Sequence, residues 1–197
     1  MKRLLVATRN RGKIREIKAL LEGLVDEVLC AADLPELSDV DEDGATFAEN
    51  ALKKARISCA VSGIATLADD SGLVVAGLDG RPGVFSARFA GPSADDTTNN
   101  QKLLEELSLR PAADRMAAFV CSLAFVTPDG GEQLFEGRVG GRIIDHPRGE
   151  HGFGYDPLFL VDGCEQTMAE LPLDHKNRIS HRGQALKAFK EYLLHHP

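Results

Sequence analysis

Four short segments carry side chains whose types and spacing suit work on a phosphorylated substrate. Thr8-Arg9-Asn10-Arg11-Gly12-Lys13 holds three cations in five residues, between a short apolar run and a helical stripe. Cations, small hydrogen-bonding side chains and the amides of a helix start together suit an anion. The segment is not a Walker A loop: the opening glycine is missing, and Ile14 follows Lys13 where that loop has Ser or Thr. Alone, it reads equally as a solvated basic turn. Asp69-Asp70-Ser71-Gly72 sets two carboxylates side by side. A hard divalent cation would relieve their repulsion, and Mg²⁺ takes oxygen ligands and bridges to phosphates. A carboxylate there could also orient or deprotonate a water that attacks phosphorus. The same four residues are common turn formers, which is the plainer explanation.

The third segment is Phe153-Gly154-Tyr155-Asp156-Pro157, reached through a glycine-rich approach. An aromatic on such a loop can stack on a base, and a neighbouring Asp can accept from a ring N–H. The ordinary alternative is a strand entry with two core aromatics. The fourth is Lys176-Asn177-Arg178-Ile179-Ser180-His181-Arg182. With Ser180 as a cap, His181 and Arg182 fall in a first helical turn, where the helix dipole disfavours cations. Something negative or strongly accepting nearby would account for them, as would simple solvation. Basic loop, acidic pair, aromatic-Asp loop and basic helix start are together what a nucleoside triphosphate and Mg²⁺ require.

The elements that must position these segments interleave. Leu4 to Ala7 reads as a strand, and Ile14, Ile17, Leu21 and Leu24 as a helical stripe. An acidic stretch with Glu36, Asp39, Asp41, Glu42 and Asp43 follows. Thr46 and Glu49 have capping-box form, and their helix should end near Gly63. Ile64 to Ala68 reads as a buried strand ending at the acidic pair, with Leu73 to Val75 returning after it. The stretch from Gly77 to Gly91 reads as an ordered loop, and Asn100 to Leu109 as a short helix. Pro128-Asp129-Gly130-Gly131 marks a hairpin between Met116–Val126 and Gln133–Val139. A glycine-rich segment from Gly137 to Gly154 precedes a strand at Leu158 to Val161, and the last helix starts near Ser180. The pattern is mixed α/β.

The chain has 197 residues, 43% apolar and 27% charged, which suits one ordered domain or two lobes and excludes wholesale disorder. The longest unbroken apolar run, Met116 to Cys121, is six residues, against roughly 20 for a membrane span. The run after Met-Lys-Arg is too short for a signal-peptide core, so a cytoplasmic protein is expected. No two of the four cysteines have Cys-x-x-Cys spacing, and buried free thiols are the reading. A net charge of −7 argues against a nucleic-acid backbone as partner, but not against a small polyanion held by a local basic cluster.

In this order and at these positions, the segments resemble the inosine triphosphate pyrophosphatase family, bacterial branch. The matching pieces are Thr8-x-Asn10-x-x-Lys13, Thr46-Phe47-x-Glu49-Asn50-Ala51-x-x-Lys54-Ala55, Ala68-Asp69-Asp70-Ser71-Gly72 and Pro82-Gly83-x-x-Ser86-Ala87-Arg88. They continue with Gly152 to Pro157 and Ser180 to Leu186, so the match spans residues 8 to 186. The resemblance implies a single domain over 1–197: two lobes, a mixed sheet flanked by helices, and an active cleft between the lobes. It implies a homodimer; from the charge and the short apolar runs, no nucleic-acid or membrane partner is expected. The implied reaction is Mg²⁺-dependent cleavage of ITP, dITP and XTP to monophosphate and pyrophosphate, which clears deaminated purines from the nucleotide pool.

Carried over by position, Thr8, Arg9, Asn10, Arg11, Gly12 and Lys13 would hold the triphosphate. Asp70 would activate water and bind the metal, with Glu42 as second metal ligand, although Asp41 and Asp43 adjoin it. Ser71 would contact substrate. Phe153, Gly154, Tyr155, Asp156, Lys176, His181 and Arg182 would form the base pocket. Hypoxanthine and xanthine carry a carbonyl where adenine carries an amine, so donors such as His181 and Arg182 would favour them. Rejecting guanine would require that its 2-amino group clash or lose water without a partner.

Overall fold

The computed structural model describes residues 1–110 and 114–196 and opens with β1 (Arg3–Val6), whose Leu4, Leu5 and Val6 are buried. β1 pairs in parallel with β2 (Glu27–Cys30) and β3 (Thr66–Val75), with Leu5 opposite Thr66 and Val6 opposite Leu67. Between β1 and β2 lies α1 (Arg11–Leu21), so Arg11, Gly12 and Lys13 belong to its first turn rather than to the loop. Asn10 explains the early start: its side chain accepts from the Lys13 N–H at 3.1 Å and caps the helix.

α2 (Phe47–Ser62) begins with the predicted capping box. Thr46 Oγ1 accepts from the Glu49 N–H at 3.1 Å, and Glu49 accepts from the Thr46 N–H at 3.2 Å. Gly63, at φ 66°, ends it in the left-handed region that glycine enters freely. α3 (Asp96–Ser108) starts ahead of the predicted Asn100 because Asp95 supplies a cap, accepting from the Thr98 N–H at 2.8 Å. β4 (Met116–Val126) and β5 (Glu132–Ile143) flank the predicted turn, and β5 pairs antiparallel with β6 (Phe159–Val161). α4 (Leu173–Ile179), which the sequence reading did not separate, and α5 (His181–His195) complete the chain. The strands form one mixed sheet in the order β2-β1-β3-β4-β5-β6.

The chain divides into two compact units, each with its own core. Unit 1 comprises Met1–Asp70, Cys121–Gly137 and Arg182–Pro197, and packs Leu4, Ile17, Leu21, Leu67, Leu123 and Phe189 together. Unit 2 comprises Ser71–Val120 and Arg138–His181, and packs Leu73, Leu103, Phe119, Tyr155, Phe159 and Met168.

Two expectations need correction. Asp69-Asp70-Ser71-Gly72 is not a turn: β3 runs straight through it from Thr66 to Val75. Turn preference is a weak local bias, and here the flanking Leu67, Ala68 and Leu73 are fully buried and hold the segment extended. β5 also runs past the expected end at Val139, into the glycine-rich segment as far as Ile143. The glycines there serve close strand packing. A Cβ on Gly141 would lie 2.3 Å from the Leu160 carbonyl oxygen and 2.6 Å from the Phe159 ring. Gly141→Ala is accordingly expected to cost about 1–3 kcal/mol, read as a fall in the urea midpoint at unchanged slope.

Candidate active site

Side chains on a strand point alternately to opposite faces, so the two adjacent carboxylates of β3 part company. Asp69 turns toward α1 and α5. It accepts from Arg182 Nε at 3.0 Å and from the Cys121 thiol at 3.3 Å, and it pairs with the Lys13 ammonium. Arg182 donates in turn from Nη1 to Glu16 Oε2 at 2.5 Å. Glu16, Asp69 and Arg182 are each about 1% exposed. Burial opposes the Arg182 charge, but the Asp69 and Glu16 carboxylates outweigh it and hold the guanidinium above its ordinary range. The acidic pair is thus not a shared cation site. One member orients Lys13 and the other is left for different work.

That other member, Asp70, turns toward α2, where Asn50 Nδ2 donates to its Oδ2 at 3.0 Å. Asn50 is itself aimed by the Gly44 N–H, which donates to Asn50 Oδ1 at 2.8 Å. Burial pushes the Asp70 carboxyl above the usual carboxylate range; Lys13 pulls it back, the Glu42 charge pushes it up again, and Lys54 and Asn50 lower it in part. The net effect is a carboxyl that binds its proton more firmly than a solvated one. A perturbed buried carboxylate amid cations is the electrostatic mark of a functional position.

The acidic loop sorts itself. Asp43 pairs with Lys53 at 2.6 Å on the surface, whereas Glu42 pairs with the Lys54 ammonium beside a cavity of about 200 Å³. Thr8, Arg9, Asp39, Glu42 and Lys54 line that cavity. Arg9 is drawn to the loop, donating to Asp39 Oδ1 at 3.0 Å and to the Leu37 carbonyl at 2.6 Å, and Arg11 is exposed. Thr8 Oγ1 accepts from the Asn10 N–H at 3.2 Å. Asp70 and Glu42 are the carboxylates suited to a cation, and the Glu42 charge adds to the cost of ionising Asp70. Among the described residues, no three His, Cys, Asp or Glu side chains gather into a ready metal cage. A two-carboxylate set fits Mg²⁺, which keeps several waters and takes substrate phosphate oxygens.

In unit 2, Phe153, Asp156 and Lys176 of the expected base pocket draw together, whereas Arg182 belongs to unit 1 and is taken up by Glu16 and Asp69. Asp156 Oδ2 accepts from the Phe153 N–H at 2.9 Å and from Lys176 Nζ at 2.5 Å, and that ammonium lies 4.8 Å from the centroid of the Phe153 ring. Asp156 Oδ2 therefore shapes the loop. Gly152, at φ 79°, is required here, since a Cβ would sit 2.1 Å from Asp156 Oδ2. Tyr155 is buried and donates to the Ser86 carbonyl at 2.9 Å; burial, with the Asp96 charge, keeps its hydroxyl protonated. Of the two aromatics, Phe153 is the half-buried one. His181 stacks on Phe119 with centroids 4.9 Å apart. Ser71 follows Asp70 on β3, half-buried.

Sequence reasoning assigned no role to Glu16, Asn50 or Lys54, and read Asp69 only as the partner of Asp70 at a cation. Asn50 and Lys54 stand one helical turn apart on α2, a visible signal in retrospect. Glu16 had a fainter one, a charge adjoining the apolar stripe of α1.

Fold and site define a mixed α/β protein with a buried carboxylate set among cations, an arrangement for handling phosphorylated small molecules. The family model described as Ham1 family matches residues 4–192. The chain is 54% identical over 193 residues to the dITP/XTP pyrophosphatase of Geobacter sulfurreducens, covering 98% of this chain and 97% of that protein. A HAM1 protein structure from Coxiella burnetii matches with TM-score 0.90 and 40% identity, over 99% of this chain and 100% of that one. The structure of a nucleoside-triphosphatase / dITP/XTP pyrophosphatase from Mycobacterium abscessus matches with TM-score 0.76 and 47% identity, over 95% of this chain and 98% of that one. The chain belongs to the Ham1 family, in agreement with the sequence resemblance. Among the described residues, no helix is long and apolar enough to cross a membrane.

Proposed function

We propose that the chain is a nucleoside triphosphate pyrophosphatase that hydrolyses dITP, ITP and XTP to the monophosphate and pyrophosphate, clearing deaminated purines from the nucleotide pool. The observation that carries the reading is Asp70: a buried carboxyl raised by desolvation, steadied by Asn50, and in the field of Lys13, Glu42 and Lys54. Its elevated proton affinity suits a general base for a water attacking phosphorus. Lys13, Thr8 and Asn10, at the positive end of α1, hold the triphosphate, and Asp69 keeps the Lys13 ammonium in place. Asp70 and Glu42 would hold Mg²⁺. That ion, when bound, offsets phosphate charge and acidifies water. Phe153 stacks on the purine, with Lys176 and His181 contributing to recognition of its carbonyl, while Arg182, buried against Glu16 and Asp69, acts on Lys13 through Asp69. The Arg182 guanidinium is fixed in plane by Glu16 and Asp69. The same reading takes residues 1–197 as one catalytic domain that works as a cytoplasmic homodimer.

Turnover of ITP, dITP, XTP, GTP and ATP with Mg²⁺, followed by phosphate release with and without added inorganic pyrophosphatase, tests the reading. Phosphate is expected only when the second enzyme is present, only for the first three substrates, and not after chelation of the metal. Phosphate released without the second enzyme would mean cleavage elsewhere in the triphosphate chain and overturn the assignment.

A further inference from the structure

Asp96 and Asn100 are four residues apart on α3 and so project from one face of the helix. Both grip Gly154. Asp96 Oδ2 accepts from the Gly154 N–H at 2.7 Å, and Asn100 Nδ2 donates to the Gly154 carbonyl at 2.9 Å. The residue that follows Phe153 is thus held by both of its polar groups, in a left-handed conformation at φ 62°. On its other side, Phe153 is held by Asp156 through its N–H and faced by Lys176.

The helix making this grip is itself anchored by separate residues. Asn99 accepts from the Ala90 N–H at 2.8 Å and donates to the Ala87 carbonyl at 3.2 Å, while Lys102 donates to the Phe89 carbonyl at 2.6 Å. Leu103 and Leu107 sit in the core of unit 2. Adjacent asparagines therefore serve different loops: Asn99 ties α3 to the segment after Pro82, and Asn100 ties the aromatic loop to α3. Tyr155 closes the circuit through the Ser86 carbonyl.

We propose that Asp96 and Asn100 are positioning residues for purine recognition: by clamping Gly154 they fix the ring of Phe153 on which the base of the nucleoside triphosphate stacks. The inference rests on Phe153 being that stacking surface, as proposed above. Neither residue needs to touch substrate. Without the clamp the loop occupies several conformations, and apparent affinity falls by the fraction that remains competent. The loss belongs to the base alone, so it appears in KM rather than in kcat, and the phosphates are bound as before.

The Asp96→Ala/Asn100→Ala double variant is expected to raise KM for ITP about tenfold, the equivalent of one or two lost hydrogen bonds, with kcat within about twofold. Inhibition by inorganic tripolyphosphate, which offers phosphates without a base, should keep its Ki. Asp96→Asn retains an acceptor for the Gly154 N–H and should hold KM near the wild-type value, unlike Asp96→Ala. An unchanged KM in the double variant would overturn the proposal, as would a tripolyphosphate Ki that rises in step with KM, or an Asp96→Asn variant as impaired as Asp96→Ala. Phe153→Ala separates the two layers. If it raises KM for ITP while the double variant does not, the clamp fails and stacking stands. If it leaves KM unchanged, both fall.

Discussion

Asp70→Asn is expected to lower kcat for dITP by about 10²–10⁴-fold, the range for losing a positioned general base, with the upper end favoured because a metal ligand goes too. The fold should not suffer. Asp70 has a folded-state pKa raised above its unfolded value, chiefly by burial, so the folded protein prefers the protonated carboxyl. Ionisation therefore costs stability. The cost is absent below the unfolded value near 3.8, grows as pH rises toward the folded value, and stays constant above it. Asparagine has no charge to desolvate. With metal removed by chelation, the variant should melt at or above the wild-type temperature at neutral pH, and the gap should close as the pH falls toward 3.8. A variant that turns over dITP at the wild-type rate would refute the assignment of the base. A variant that melts well below wild type would show instead that the carboxylate stabilises the fold.

Arg182→Ala should produce the largest stability loss of any single substitution considered, about 3–5 kcal/mol, because it removes the cation between two buried carboxylates. Glu16 and Asp69 would remain in a dry environment with their negative charges less compensated. Urea unfolding measures the loss directly. The sign of its pH dependence also follows: in the variant the ionised carboxylates are penalised, so their folded-state pKa values would exceed the unfolded ones. The deficit is then largest above those values and shrinks as acid protonates the pair. Glu16→Gln added to Arg182→Ala should recover part of the loss, since one of the stranded charges is gone. A deficit below about 1 kcal/mol, as surface pairs give, would show that the network is solvated rather than buried.

The sequence made some of this legible and concealed the rest for identifiable reasons. The α2 capping box was readable because both bonds are local, between residues three apart. The helix at 96–108 was placed late because its cap, Asp95, lies in a polar run that looks like loop. The acidic pair was misread as a turn because turn preference belongs to single residues, whereas the strand is imposed by pairing with β1 and by buried leucines. Asp70 stood out in the sequence; the partition of labour between it and Asp69 did not, because Arg182 reaches Asp69 from 113 residues away. Asp156 was expected to face a base; its bond to the Phe153 N–H is local, but its bond to Lys176 depends on α4, an element that the periodicity of so short a segment did not reveal.

The alternation along β3 makes residue count, as distinct from residue identity, a constraint on the enzyme. Val6 and Leu67 fix where the strand begins its register, and two and three positions later Asp69 and Asp70 are assigned opposite sides of the sheet. One residue gained or lost between Leu67 and Asp69 would swap their faces: a loss sends Asp70 into the Arg182 network, and a gain sends Asp69 toward Asn50. This stretch can therefore accept many substitutions that keep its length, and no single-residue insertion or deletion.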